Sequence, residues 1–182
     1  LGRTLLYTVC TLPFRVIIPL LVAVLLCSKR VAGKSLTRTM VYIPVLMSAL
    51  VVGITINWMF SQEYGLVNFI IRSLGGTALE WSLNPRLATF VIAFASVWAS
   101  IGFNMILYIG GINSISNDLY EAATIDGASG VQAFFRITVP MLAPTTFMVV
   151  LLSTVNLLKE YALVQGITQG GPGLSTTFII QY

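Results

Sequence analysis

The sequence predicts an all-α, polytopic integral membrane protein. Three observations carry this expectation. Hydrophobic residues make up 57% of the 182-residue chain, charged residues make up only 9%, and the apolar residues gather into runs separated by short polar segments. Soluble domains carry about 25% charged residues, and the mean hydropathy here is +0.90. A helix needs about 20 apolar residues to cross about 30 Å of hydrocarbon, where every backbone polar group must be bonded inside the segment.

The first run, 5–27, contains Pro13, Arg15 and Pro19. Proline is tolerated in a membrane helix where neighbours satisfy the carbonyls it frees, so a kinked span is expected. A polar segment covers 28–38, a second span 40–60, a wetter loop 61–84 and a third span 87–112. A polar island occupies 113–138, and a fourth span runs over 140–158. A glycine-rich loop over 165–174 leads into a last run that starts at 175 and stops at Tyr182. The chain reads as one transmembrane domain over 1–182, with four complete spans and the start of a fifth, cut from a longer protein. Within the loop 61–84, the stretch 66–74 has the pattern of a short amphipathic helix lying at the interface.

Basic residues in short loops set orientation. Lys29, Arg30, Lys34 and Arg38 lie between two spans with no acid among them, so 28–38 is expected in the cytoplasm. Alternation then puts 61–84 outside, 113–138 inside and Gly170-Gly171-Pro172 outside. Arg72 and Arg86 vote against this, while Trp58, Phe60, Tyr64 and Trp81 fit an aromatic belt at the outer boundary.

Several chemistries find no support. The chain has no His, the commonest general base and metal ligand. Its two cysteines, Cys10 and Cys27, sit in apolar runs without CxxC spacing and read as small buried hydrophobes. Gly33-Lys34-Ser35 looks like the end of a phosphate-binding loop, but the full motif needs a glycine at position 28, which is Ser, and a preceding strand. No catalytic residue, metal, cofactor or nucleic-acid partner is expected.

The island is the most informative segment. Asp118 and Glu121 fall in the first turns of a short helix, where carboxylates suit the positive end of the dipole. Asn117 or Ser116 can cap that helix, and Gly127 can stop it. A second short helix is expected over 128–135, and Pro140 starts the fourth span, where its missing N–H costs least. Two alanines beside Glu121 allow close approach, so the island reads as a knob offered to a soluble partner.

The spacing Glu121-Ala122-Ala123, three residues, Gly127, nine residues, Ile137, one residue, Val139-Pro140 resembles the EAA signature of ABC importer permeases, EAA-x3-G-x9-I-x-L-P, with Val139 in place of Leu. A plain interhelical loop needs no such spacing. The likeness extends to Leu119-Tyr120, Asp126 and Ala128-Ser129. Upstream, Arg38, Tyr42-Ile43-Pro44, Trp58-Met59-Phe60 and Tyr64-Gly65-Leu66-Val67-Asn68 resemble the carbohydrate-type subgroup, as does Ile167-Thr168-Gln169-Gly170-Gly171-Pro172-Gly173 downstream.

The resemblance implies an ABC importer permease bundle with a cytoplasmic coupling helix, multi-pass in the cell membrane. It implies that the coupling helix docks on an ABC ATPase subunit through Glu121, Ala122, Ala123, Asp126, Gly127, Ile137 and Pro140. The implied partners are an ATPase dimer that binds the ATP, a second permease subunit and an extracytoplasmic solute-binding protein. The implied cargo is a sugar, oligosaccharide or related polyol, with a phosphorylated polyol or amino acid as the alternative. Two other classes have their own signatures. An ion-coupled secondary transporter calls for discontinuous helices and intramembrane acids, and a membrane-embedded enzyme for clustered His or paired acids.

Polar residues within spans are expected to face a bundle or cavity rather than lipid. Ser100 and Asn104 share one face of the third span, with Trp98 nearby, and Asn156 and Glu160 share one face of the fourth. Together with Asn57 they are the candidates for a solute path. Packing and interhelical hydrogen bonding are the bland reading for each. Lys159 is near enough in sequence to pair with Glu160, and Arg15 reads as a packing or interhelix ion-pair residue.

Overall fold

A computed structural model describes residues 2–27, 34–172 and 176. Helix α1, Gly2–Cys27, runs unbroken for 26 residues through Pro13 and Pro19. Pro19 has no N–H to give the Arg15 carbonyl one turn back. That carbonyl instead accepts Asn104 Nδ2 at 2.9 Å from a neighbouring helix, so the cost of the proline is met across the bundle.

The neighbour is α5, Pro85–Asn113, the longest helix at 29 residues. At 1.5 Å per residue it measures about 44 Å, longer than the hydrocarbon core. Asn84 caps it by accepting from Arg86 N at 3.0 Å, and Pro85 occupies the first turn, where a missing N–H costs nothing. Helices α1 and α5 run in the same direction. Tyr7 shares one apolar cluster with Val91 and Ile92, whereas Ala23 and Leu26 share the other with Met105 and Tyr108.

The expected single span over 40–60 is instead two helices, α2 (Lys34–Leu46) and α3 (Ala49–Met59), bent by 100° at the intervening residues. Pro44 lies in the last turn of α2, and Ser48 turns to an extended conformation before α3. The basic segment 28–33, part of the orientation argument, lies outside the described residues, as does the last run apart from Thr176.

The loop 61–84 holds α4, Leu66–Ser73, close to the expected amphipathic stretch. Buried Asn68 organises this loop. Its Nδ2 donates to the carbonyls of Leu79 at 3.0 Å and Gln62 at 3.1 Å. Its Oδ1 accepts Leu79 N at 3.1 Å and the Trp81 indole at 3.0 Å. Trp81 in turn packs edge-on against Phe60, with ring centroids 5.0 Å apart. Its aromatic body therefore lies in the core with its N–H satisfied, a state that favours burial.

After the island, α9 covers Ala143–Leu158 and breaks at Lys159. A further helix, α10 over Ala162–Ile167, occupies ground expected to begin the glycine-rich loop. It packs on α3 at very short range. A Cβ on Gly53 would lie 2.8 Å from the Leu163 carbonyl oxygen, and one on Gly166 would lie 2.8 Å from that of Leu50. Gly166 thus marks a helix crossing rather than a turn.

Candidate functional site

Two assemblies gather the candidate side chains: the polar island and a recess midway through the bundle. In the island, α6 covers Asn117–Ile125 and α7 covers Gly130–Ala133. Ser116 is the cap of α6, accepting Asp118 N at 3.2 Å. At the other end Gly127 has φ +75°. Ala128 N bonds Ala123 O at 2.8 Å, and Gly127 N bonds Thr124 O at 3.1 Å. This paired pattern closes a helix over a left-handed glycine, so Gly127 is required by backbone geometry. Ser129 and Gln132 then form a reciprocal capping box, at 2.8 and 3.3 Å, that starts α7.

The expected second helix over 128–135 begins two residues later and does not end where expected. It widens into a π-helical turn, Phe134–Thr138, and continues into α8, Val139–Met141. A 65° bend at Leu142 then leads to α9. Pro140 accordingly sits in the short connecting helix rather than at the start of the straight span.

No residue of α6 is buried. Glu121 and Ala122 are exposed, Ala123 is half-buried, and Asp126 is exposed at the C-cap. Ala123, Asp126, Gly127 and Ile137 line one cleft of about 370 Å³ together with Gln132 and Arg136. The knob is fastened to the bundle by Tyr120, whose hydroxyl meets Thr138 Oγ1 at 2.9 Å. Thr138 is buried, so this bond anchors an exposed helix to the base of the fourth span. Tyr120 was visible in the sequence only as a neighbour of the motif.

The recess measures about 210 Å³ and is lined by Arg15, Ala99, Ser100, Phe103, Asn104, Ser153 and Asn156. Three of the sequence-derived candidates, Ser100, Asn104 and Asn156, therefore meet in one place. Arg15 lies halfway along α1, so the recess lies at mid-depth. Polar side chains there are costly against lipid, so this face suits water or another subunit. A larger cleft of about 460 Å³ between α1 and α5 has a mainly apolar lining, including Leu6, Phe14, Phe90 and Phe94. It offers a polar solute little to bond.

Glu160 stands behind the recess, in the break between α9 and α10. Its partner is Arg15, at 2.8 Å, and not Lys159, which is exposed. A helix break turns adjacent side chains apart, so nearness in sequence misled here. Ser96 Oγ donates to the same carboxylate at 2.7 Å and Tyr7 OH at 2.8 Å. Asn104 links the group onward to Ser153 at 3.2 Å. Trp98 and Asn57 do not join the recess. Trp98 is 36% exposed, and Asn57 lies beside Phe60, Trp81 and Thr168. Ser96 and Ser153, both buried, were missed because small hydroxyls in an apolar run carry no pattern of their own.

A helical membrane bundle with a protruding, tightly capped knob and a polar recess at mid-depth is the architecture of a transport permease. The chain belongs to the family described as the binding-protein-dependent transport system inner membrane component, whose model matches residues 1–182. It is 36% identical over 155 residues to the trehalose/maltose transport system permease protein of Thermococcus litoralis, covering 85% of this chain and 52% of that protein. It is 33% identical over 180 residues to the arabinooligosaccharides transport system permease protein of Bacillus subtilis, covering 96% of this chain and 58% of the relative. The chain therefore spans about half the length of the curated relatives it matches. Among solved structures, it resembles a bacterial ABC transporter involved in import of the acidic polysaccharide alginate. The TM-score is 0.88 at 25% identity, over 100% of this chain and 64% of that one. The same fold recurs in an alginate ABC transporter in complex with an alginate pentasaccharide-bound periplasmic protein, with a TM-score of 0.84.

Proposed function

We propose that this chain is the permease part of an ATP-driven importer that moves a sugar, an oligosaccharide or a related polyol into the cytoplasm through the cell membrane. ATP is bound and hydrolysed by a separate ATPase dimer, a second permease subunit completes the pathway, and a binding protein delivers the solute outside. The chain itself makes and breaks no covalent bond.

The observation that carries the reading is the knob. Helix α6 buries none of its residues yet is fixed by a serine cap, a left-handed glycine and the Tyr120–Thr138 bond. A helix of nine residues is marginal alone in water, so such bracing points to a surface kept in shape for a partner. Glu121 and Ala122 form its exposed contact edge. A charge-assisted hydrogen bond that Glu121 accepts from a basic group of the ATPase contributes about 1.5–3 kcal/mol. The recess supports the solute class, since Ser100, Asn104 and Asn156 offer donors and acceptors to hydroxyls, with Phe103 as an apolar face.

The test is uptake by the reconstituted transporter. Glu121→Ala and Gly127→Pro are expected to abolish ATP-dependent uptake while membrane insertion stays at the wild-type level. Undiminished uptake in Glu121→Ala would refute the coupling role. A thermal-shift ligand screen on the cognate binding protein separates cargo classes, and an amino-acid ligand there would overturn the sugar assignment.

A further inference from the structure

The recess holds a cation yet carries no net charge. Arg15 lines it from α1 and is the one charged residue among the described residues that do so. Glu160 accepts Arg15 Nη2 at 2.8 Å, and the two side chains are only 5% and 11% exposed. Ser96 and Tyr7 donate to the second carboxylate oxygen, fixing Glu160 in place. Arg15 Nε has no hydrogen-bond partner among the described residues.

Stability alone is a poor reason for such a pair. Desolvating two ions costs more than their attraction commonly returns, and an apolar pair of similar volume often does as well. Ionisable groups within a membrane are functional by default. The fold does not exclude charged cargo, since a solved transporter with this architecture is described as importing an acidic polysaccharide. Selection by charge must then reside in side chains.

We propose that the Arg15–Glu160 pair sets the charge class of the solute that the recess accepts. Arg15 offers donors to hydroxyls, and Glu160 cancels its charge, so carboxylated and amino sugars gain no attraction over neutral ones. This rests on the recess being part of the solute path. Removing either partner inverts the preference. An uncompensated Arg15 draws anionic sugars, and an uncompensated Glu160 draws cationic ones.

The experiment measures equilibrium binding to the complete transporter, purified with its partner permease and ATPase but without its binding protein. Maltose, digalacturonate and deacetylated chitobiose serve as neutral, anionic and cationic probes. Wild type is expected to favour maltose. Glu160→Gln should raise digalacturonate affinity relative to maltose by at least tenfold, about 1.4 kcal/mol. Arg15→Gln should do the same for the amino sugar, and the double variant should restore the wild-type order. A pair that merely holds helices together would not produce opposite selectivities. Unchanged probe order in both single variants overturns the proposal and leaves the solute path standing. Absence of any probe binding to wild type and variants removes the path and the proposal together. Should both single variants fail to fold, Glu160→Asp keeps the charge but shortens its reach. Because the compensating charge is kept, the wild-type probe order is expected there, and a tenfold shift toward digalacturonate overturns the proposal.

Discussion

At the scale of single residues, the chain places polar groups where a backbone need and a chemical need coincide. Asn104 is the clearest case. It lines the recess, and it also supplies the donor that the Arg15 carbonyl lacks because Pro19 sits four residues on. Asn104→Leu removes both at once. Leaving that carbonyl without its donor costs about 1–3 kcal/mol, and a lower unfolding midpoint in detergent is expected. Pro19→Ala restores the helical N–H. In that background Asn104→Leu should cost clearly less stability, whereas its loss of solute binding should persist. Equal destabilisation in both backgrounds would mean that the bond across the bundle is not what Asn104 provides. Sequence reasoning put Asn104 on a functional face, and it expected neighbours to satisfy carbonyls freed by proline. What it could not do was join the two, because the pairing spans 89 positions.

At the scale of elements, the most readable parts were those whose cause is local. Proline and asparagine at the start of α5, serine at the start of α6 and glycine after it all act within one turn. The residue types around the knob offered Asn117 or Ser116 as its cap and Gly127 as its stop, and Ser116 takes the cap. The parts that escaped were caused from a distance. Nothing between Pro44 and Ala49 signals a 100° bend by itself, because the bend is held by what α2 and α3 each pack against. Gly166 was read as a loop glycine, but it is one half of a backbone contact whose other half, Gly53, lies 113 residues earlier. Gly166→Ala puts a methyl 2.8 Å from a carbonyl oxygen, with backbone on the opposing side that cannot swing aside. Overpacking of this kind costs about 1–3 kcal/mol. The variant should show a lower unfolding midpoint, as should Gly53→Ala, and combining them should cost less than the sum because both push on one crossing. The loop 61–84 has its own element-scale test. Asn68→Ala strands the Trp81 indole and the Leu79 N–H, and protease should then cut 61–84 faster than in wild type.

At the scale of the whole molecule, the two sites are joined by one continuous piece of chain. The knob meets the π-helical turn through Tyr120 and Thr138, that turn runs through α8 into α9, and α9 ends beside Glu160. The 16 residues of α9 extend about 24 Å, so under the proposed coupling role a push at the knob would reach the recess along a helix rather than through loops. Energetic coupling between distant sites is commonly carried by packed, rigid elements that have two discrete arrangements. Under the proposed coupling role, the wide turn at Phe134–Thr138 and the 65° bend at Leu142 are where the arrangement would change, since π-helical turns lie frequently at functional sites. Tyr120 is then a pin between the docking surface and the lever. Tyr120→Phe keeps the ring packing and deletes only the hydroxyl, and Thr138→Val deletes its partner at nearly constant volume. Each is expected to lower the solute moved per ATP hydrolysed several-fold, while the ATPase still docks and still hydrolyses. The double variant should be no worse than the poorer single one, because both remove the same bond. Fully additive losses would place the two residues on separate routes, and an unchanged ratio of solute to ATP would show that the knob transmits its motion without the pin.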